Sequence, residues 1–118
     1  MSINERIKVL REKLDISQSE FAKKIGITQP SLSDIEKGKT KNIDERTIKL
    51  ICVEFNVNEE WLRNGIGEMF DTENELLTLF TARLKTFDEL DKKIILEYIK
   101  LNKSQREVIK NYIKSIFS

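Results

Sequence analysis

Apolar side chains recur along the first part of the chain at steps of three and four residues. Ile3, Ile7, Leu10 and Leu14 form one stripe, with Glu5, Lys8, Glu12 and Lys13 on the other faces, which predicts an amphipathic helix. Asp15-Ile16 breaks it. Ser17-Gln18-Ser19-Glu20 then reads as a capping box for a second helix that turns Phe21, Ala22 and Ile25 inward and stops at Gly26. Thr28 caps a third helix with Leu32 and Ile35 as its apolar stripe and Gly38 at its end. Pro30 is tolerated in its first turn, where the missing N–H would lack a helical partner anyway. Asn42 with Glu45 offers a cap for a fourth helix, burying Ile48, Ile51, Cys52 and Phe55 and ending at Asn56. Asn58 caps a short fifth with Trp61 and Leu62, closed by Asn64-Gly65-Ile66-Gly67.

The texture changes after that. Met69 to Asn74 reads as a polar linker. Leu76, Leu77, Phe80, Leu84 and Phe87 mark one further amphipathic helix, and Leu90, Ile94, Ile95, Tyr98 and Ile99 a second. Ser104-x-x-Glu107 reads as a capping box for a third, carrying Val108, Ile109, Tyr112, Ile113, Ile116 and Phe117. With only 4 glycines and 1 proline to punctuate turns, the expected class is all-α. The expected organisation is a five-helix domain over residues 1–70 and a helical region over 71–118. That second region has more large apolar side chains than three short helices hide alone. It must therefore pack on the first domain or pair with a second copy.

Charge and chemistry narrow the function by exclusion. Net charge is +1, so the overall balance neither favours nor excludes an anionic partner, and the placement of lysines and arginines must decide. The absence of histidine removes imidazole acid–base chemistry, the common nucleophile–base arrangements and most zinc sites. Gly65-Ile66-Gly67 is too short for a phosphate-binding loop. No cofactor or metal is expected, and an enzyme is disfavoured. Asp88, Glu89 and Asp91 are better explained as a negatively charged helix start than as a metal site. Cys52, the single cysteine, has no internal disulfide partner, which fits a reducing cytoplasm; on an apolar helix face it reads as core, as does Trp61. No apolar run approaches the roughly 18 residues of a membrane span, and MSINERIKVLREKL lacks the apolar centre of a signal peptide.

The stretch SQSEFAKKIGITQPSLSDIEKGK, residues 17 to 39, resembles the helix-turn-helix of the lambdoid phage repressors and of the broader XRE-type regulators. The resemblance runs from Asn4 to about Phe70 and includes GKTKN after the third helix and NEEWLRNG at the end. It implies a lambda-repressor-like DNA-binding domain whose third helix lies in a DNA major groove. Ala22 must be small where the two helices cross, and Gly26 permits the sharp turn between them. By the resemblance, Gln29, Pro30, Ser31 and Asp34 fall on base-reading positions, and Ser33 lines the same face. A glutamine amide at 29 can pair at two points with adenine; Pro30 can offer only an apolar contact, and Asp34 repels phosphate but accepts from a cytosine amino group. Ser17 and Gln18 stand at the second helix's start, where N–H groups favour a backbone phosphate. Lys37, Lys39, Lys41 and Asn42, with Lys23, are the expected phosphate contacts. Arg11 and Glu36 correspond to a pair that bridges helices one and three in the family, and a partly buried charge-assisted pair is expected here.

The resulting reading is a cytoplasmic, sequence-specific transcriptional regulator of phage or prophage type, a repressor acting on a double-stranded DNA operator. Such proteins use two recognition helices about one DNA turn, roughly 34 Å, apart. A homodimer is therefore expected, built by the C-terminal helices around Tyr98, Ile109, Tyr112, Ile116 and Phe117. That helical tail cannot be the β-rich self-cleaving domain with a serine–lysine dyad that many phage repressors carry, which leaves release by an antagonist protein or a ligand. The alternative is an antitoxin that represses its own promoter and masks a toxin with its tail. A third reading is a protein–protein adaptor that has lost DNA binding.

Overall fold

The computed structural model describes residues 1–70 and 72–117, the side chains of residues 72–74 excepted. Its elements are α1 (Ile3–Leu14), α2 (Gln18–Ile25), α3 (Gln29–Glu36), α4 (Glu45–Phe55), α5 (Glu59–Asn64), α6 (Thr72–Arg83), a 3-10 turn (Leu84–Thr86), α7 (Glu89–Lys100) and α8 (Lys103–Phe117). Among the described residues the only β feature is an isolated antiparallel bridge between Val57 and Phe70. The chain forms two compact units, Met1–Lys85 and Thr86–Ser118.

From α1 to α5 each helix start has a local cause. Ser2, Ser17, Thr28 and Asn58 accept hydrogen bonds from backbone N–H groups of the first turns of α1, α2, α3 and α5. The fourth helix differs from the expectation: Asp44, not Asn42, is its cap, accepting from Arg46 N–H at 3.1 Å. A carboxylate there also meets the positive end of the helix dipole, which an amide does not. Asp15 and Asn56 end α1 and α4 in the left-handed conformation, which short polar side chains tolerate.

The helices share one core. Ile7, Leu10, Leu14, Phe21, Leu32, Ile51 and Leu62 are fully buried, and the rings of Phe21 and Phe55 stack with centroids 4.7 Å apart. Trp61 is buried and Cys52 half-buried against this core. Arg6 is also buried. Its guanidinium donates to the carbonyls of Leu62 and Arg63, each at 2.7 Å, and to that of Met1, so a cation closes the carboxyl end of α5. Arg63 in turn pairs bidentately with Glu45, tying α5 to the start of α4.

The polar linker expected over 69–74 does not open after Trp61 and Leu62. Asn58 N–H donates to the Met69 carbonyl at 2.9 Å, and Phe70 is buried in the core. Asp71 lies outside the described residues, and α6 begins at Thr72. Helix α6 then packs on α1 within the compact unit Met1–Lys85. Its packing face is not the expected leucine stripe. Thr78 and Ala82 are buried, whereas Leu76 and Leu77 are 79% and 64% exposed. Leu79, half-buried against the core, completes that face. Arg83 reaches the Lys13 carbonyl, Asn56 donates to the Thr78 hydroxyl, and Lys85 pairs with Glu20.

The second unit is built from two capped helices. Asp88 and Asp91 make reciprocal bonds at the start of α7, a capping box with aspartate in the third position. At α8 the box is formed by Asn102 and Gln105, at 2.8 and 3.0 Å, two residues before the expected Ser104–Glu107 pair. Ser104 is already inside the first turn, and Glu107 pairs with Lys110. No side chain described between 86 and 117 is buried. An apolar groove of about 720 Å³ runs along this unit, lined by Leu90, Ile94, Tyr98, Ile99, Ile109 and Ile113 among others.

Candidate nucleic-acid interface

Helices α2 and α3 are joined by Gly26-Ile27-Thr28. Gly26 takes φ 75°, and Ile27 N–H returns to the Ala22 carbonyl at 3.0 Å, so the turn is closed by backbone bonds. Phe21, Ala22 and Ile25 on α2 and Leu32 and Ile35 on α3 are buried, fixing the angle between the helices. Ala22, at 1% exposure, leaves no room for a larger residue where they cross. The remaining face of α3 is directed to solvent: Gln29, Pro30, Ser31 and Asp34 are exposed and Ser33 is half-buried. Thr28 donates to the Ser31 hydroxyl at 2.8 Å and accepts from Ser31 N–H, so the first turn is held rigid by its own side chains.

A polar network backs this face. Arg11 and Glu36 form a bidentate pair, Nε to Oε2 at 2.7 Å and Nη2 to Oε1 at 3.0 Å, with the Glu36 side chain only 3% exposed. Arg11 Nη1 also donates to the Ile16 carbonyl at 3.0 Å. Gln18 Nε2 donates to Glu36 Oε1 at 3.1 Å, and Gln29 Nε2 donates to Gln18 Oε1 at 2.8 Å. The chain of contacts thus runs from the interior to the tip of α3. Burial pushes the Glu36 carboxyl upwards, but the hydrogen bonds from Arg11 and Gln18 outweigh it and hold the group below the usual carboxylate range. The same bond raises the Arg11 guanidinium above its ordinary value.

Beyond α3 the chain turns through Gly38, at φ 78°, into an exposed basic loop. Lys39 N–H and Thr40 N–H both return to the Asp34 carbonyl. Lys37 caps α3, and Lys37, Lys39, Lys41 and Asn42 are all exposed beside it. Ser17 is exposed at the start of α2. Lys23 lines a different cleft, with Lys24, Asp44 and Arg46. The Asn4 amide donates to both the Ile35 and Thr40 carbonyls at 2.9 Å and so pins the loop to α1. Sequence reasoning missed Asn4 and Arg6, giving neither a role. Asn4 had one signal: it stands seven residues, two helical turns, before Arg11, on the same face of α1.

Among the described residues no group of three or more His, Cys, Asp or Glu side chains is placed to hold a metal ion, and no helix is long and apolar enough to cross a membrane. Burial pushes the Cys52 thiol up, away from nucleophilic character.

Two short helices crossing at a small residue, a glycine turn, and a second helix with its polar face outward define the helix-turn-helix class. The family model for the helix-turn-helix matches residues 7–62. Relatives agree. The chain is 43% identical over 56 residues to the antitoxin PezA of Streptococcus pneumoniae serotype 4, covering 48% of this chain and 35% of that protein. It is 35% identical over 68 residues to the HTH-type transcriptional regulators for the conjugative elements SXT of Vibrio cholerae and pMERPH of Shewanella putrefaciens, covering 58% of this chain and 31% of each. The chain therefore spans about a third of the length of these relatives. No solved structure matches it.

Proposed function

We propose that the protein is a cytoplasmic, sequence-specific DNA-binding transcriptional regulator that acts as a homodimer and represses from an operator. The observation that carries this reading is the exposed α3 face, Gln29 to Asp34, with Gln29 hydrogen-bonded through Gln18 to a buried ion pair. A merely solvated helix face needs no such backing. In this reading Gln29, Pro30, Ser31, Ser33 and Asp34 meet base edges, while Ser17, Gln18, Lys37, Lys39, Lys41 and Asn42 meet phosphates. Lys23 belongs to that second group only if the duplex extends past the start of α2. Relatives named for conjugative elements support a role on a phage, prophage or similar mobile element.

Dimerisation is assigned to α7 and α8. Tyr98 and Ile109 line the apolar groove, and Tyr112, Ile116 and Phe117, outside its lining, are largely exposed on α8. The test is a gel shift of the full chain on duplex DNA from upstream of its own gene, at stated salt, against unrelated duplex. A retarded band that unrelated DNA does not compete away is expected; equal competition by both overturns sequence-specific regulation, and no retarded band on either duplex favours the adaptor reading. The second reading, an antitoxin, is favoured by the likeness to PezA. There the α7–α8 groove holds a toxin in place of a second copy, and co-purification of a stoichiometric small protein from the native host separates the two.

A further inference from the structure

We propose that Glu36 is a specificity-determining positioning residue: through Gln18 its carboxylate fixes which end of the Gln29 amide faces DNA. This rests on the reading of Gln29 as a base contact. Glu36 receives two N–H groups of Arg11 and is ionised, so it can only accept hydrogen bonds. Gln18, whose amide meets Glu36 Oε1, must turn its NH2 group to that oxygen. Its own Oε1 is then the atom left for Gln29, which must answer with an N–H, as the 2.8 Å contact records.

The order of the two amides follows from one buried carboxylate. Gln29 is left presenting its second N–H together with Oε1, one donor beside one acceptor. That pattern complements the major-groove edge of adenine, which offers N6–H2 and N7. With both amides reversed, Oε1 of Gln29 would be occupied by Gln18 and two N–H donors would project. Those complement the N7 and O6 acceptors of guanine. Gln18 keeps one N–H for a phosphate in the observed order, so the relay does not compete with a backbone contact.

The experiment selects sites from a random-sequence duplex DNA library with the full chain and its variants. Gln29→Ala should abolish preference at one base pair and identify it. Glu36→Gln keeps an oxygen for Arg11 but turns an NH2 towards Gln18. At that pair the adenine-over-guanine preference should fall by roughly ten-fold or invert, with other positions unchanged. A merely structural loss would weaken all sites alike. Gln18→Leu cuts the relay and leaves the Arg11–Glu36 pair intact, and it should relax the same base pair. The proposal is overturned if folded Glu36→Gln retains the wild-type preference at the pair that Gln29→Ala relaxes. Should Glu36→Gln not fold, retained preference in Gln18→Leu overturns it equally. If Gln29→Ala changes no position, the base-reading role of Gln29 itself fails and the proposal falls with it.

Discussion

At the residue scale, Glu36 couples stability to pH. Its carboxyl lies below the ordinary value in the folded chain, so the folded state binds that proton more weakly than the unfolded state does. The stabilisation is complete above the unfolded pKa, near 4.3, and is lost as pH falls through the folded value. Denaturant unfolding at neutral pH should find Glu36→Gln less stable than wild type by about 2 kcal/mol. The gap should close progressively below about pH 5. A gap that stays constant down to pH 3 would show that the proton is bound equally in both states. The Arg11–Glu36 pair was accessible from the sequence only through the family resemblance, because two charges 25 residues apart carry no periodic signal. The Gln18–Gln29 contact was not accessible at all. It depends on the angle between two helices, which residue pattern fixes only through packing.

At the element scale, the loop after α3 is held from two sides. Asn4 binds the carbonyls of Ile35 and Thr40, while backbone N–H groups of Lys39 and Thr40 return to Asp34. Asn4→Ala should cost about 1–2 kcal/mol in unfolding measurements and weaken binding to every duplex without changing base preference. Lys39→Ala should lower the slope of log affinity against log salt by about one. A changed base preference with an unchanged slope would make Lys39 a reader instead of a clamp. The first five helices were legible because each couples a three- and four-residue apolar step to a polar cap; the misplaced cap at Asn42 is a shift of two residues. Helix α6 departs from the expected stripe because its leucines at 76 and 77 face solvent, while Thr78, Leu79 and Ala82 make the contact. Periodicity marks large apolar residues and is blind to small ones.

At the scale of the whole molecule, the two units differ in self-sufficiency. Residues 1–85 hold the buried core, and a fragment of that length should unfold cooperatively on its own. No side chain of α7 or α8 is buried, and two helices with so much apolar surface in water gain by covering it. Ile116→Asp in the full chain should give a monomer by sedimentation at micromolar concentration. It should also weaken operator binding by at least an order of magnitude, since linked half-sites gain from effective concentration. Dimers that persist with this change would move the contact elsewhere.

If the exposed α7 and α8 faces pair two copies as proposed, they set how the protein would respond to its own abundance. Where pairing is incomplete, the number of dimers grows as the square of the total chain present, so a two-fold fall in expression cuts operator-competent species nearly four-fold. Dilution at cell division, or a burst of proteolysis, would then reach the promoter as a sharper signal than the change in copy number itself, without any inducer.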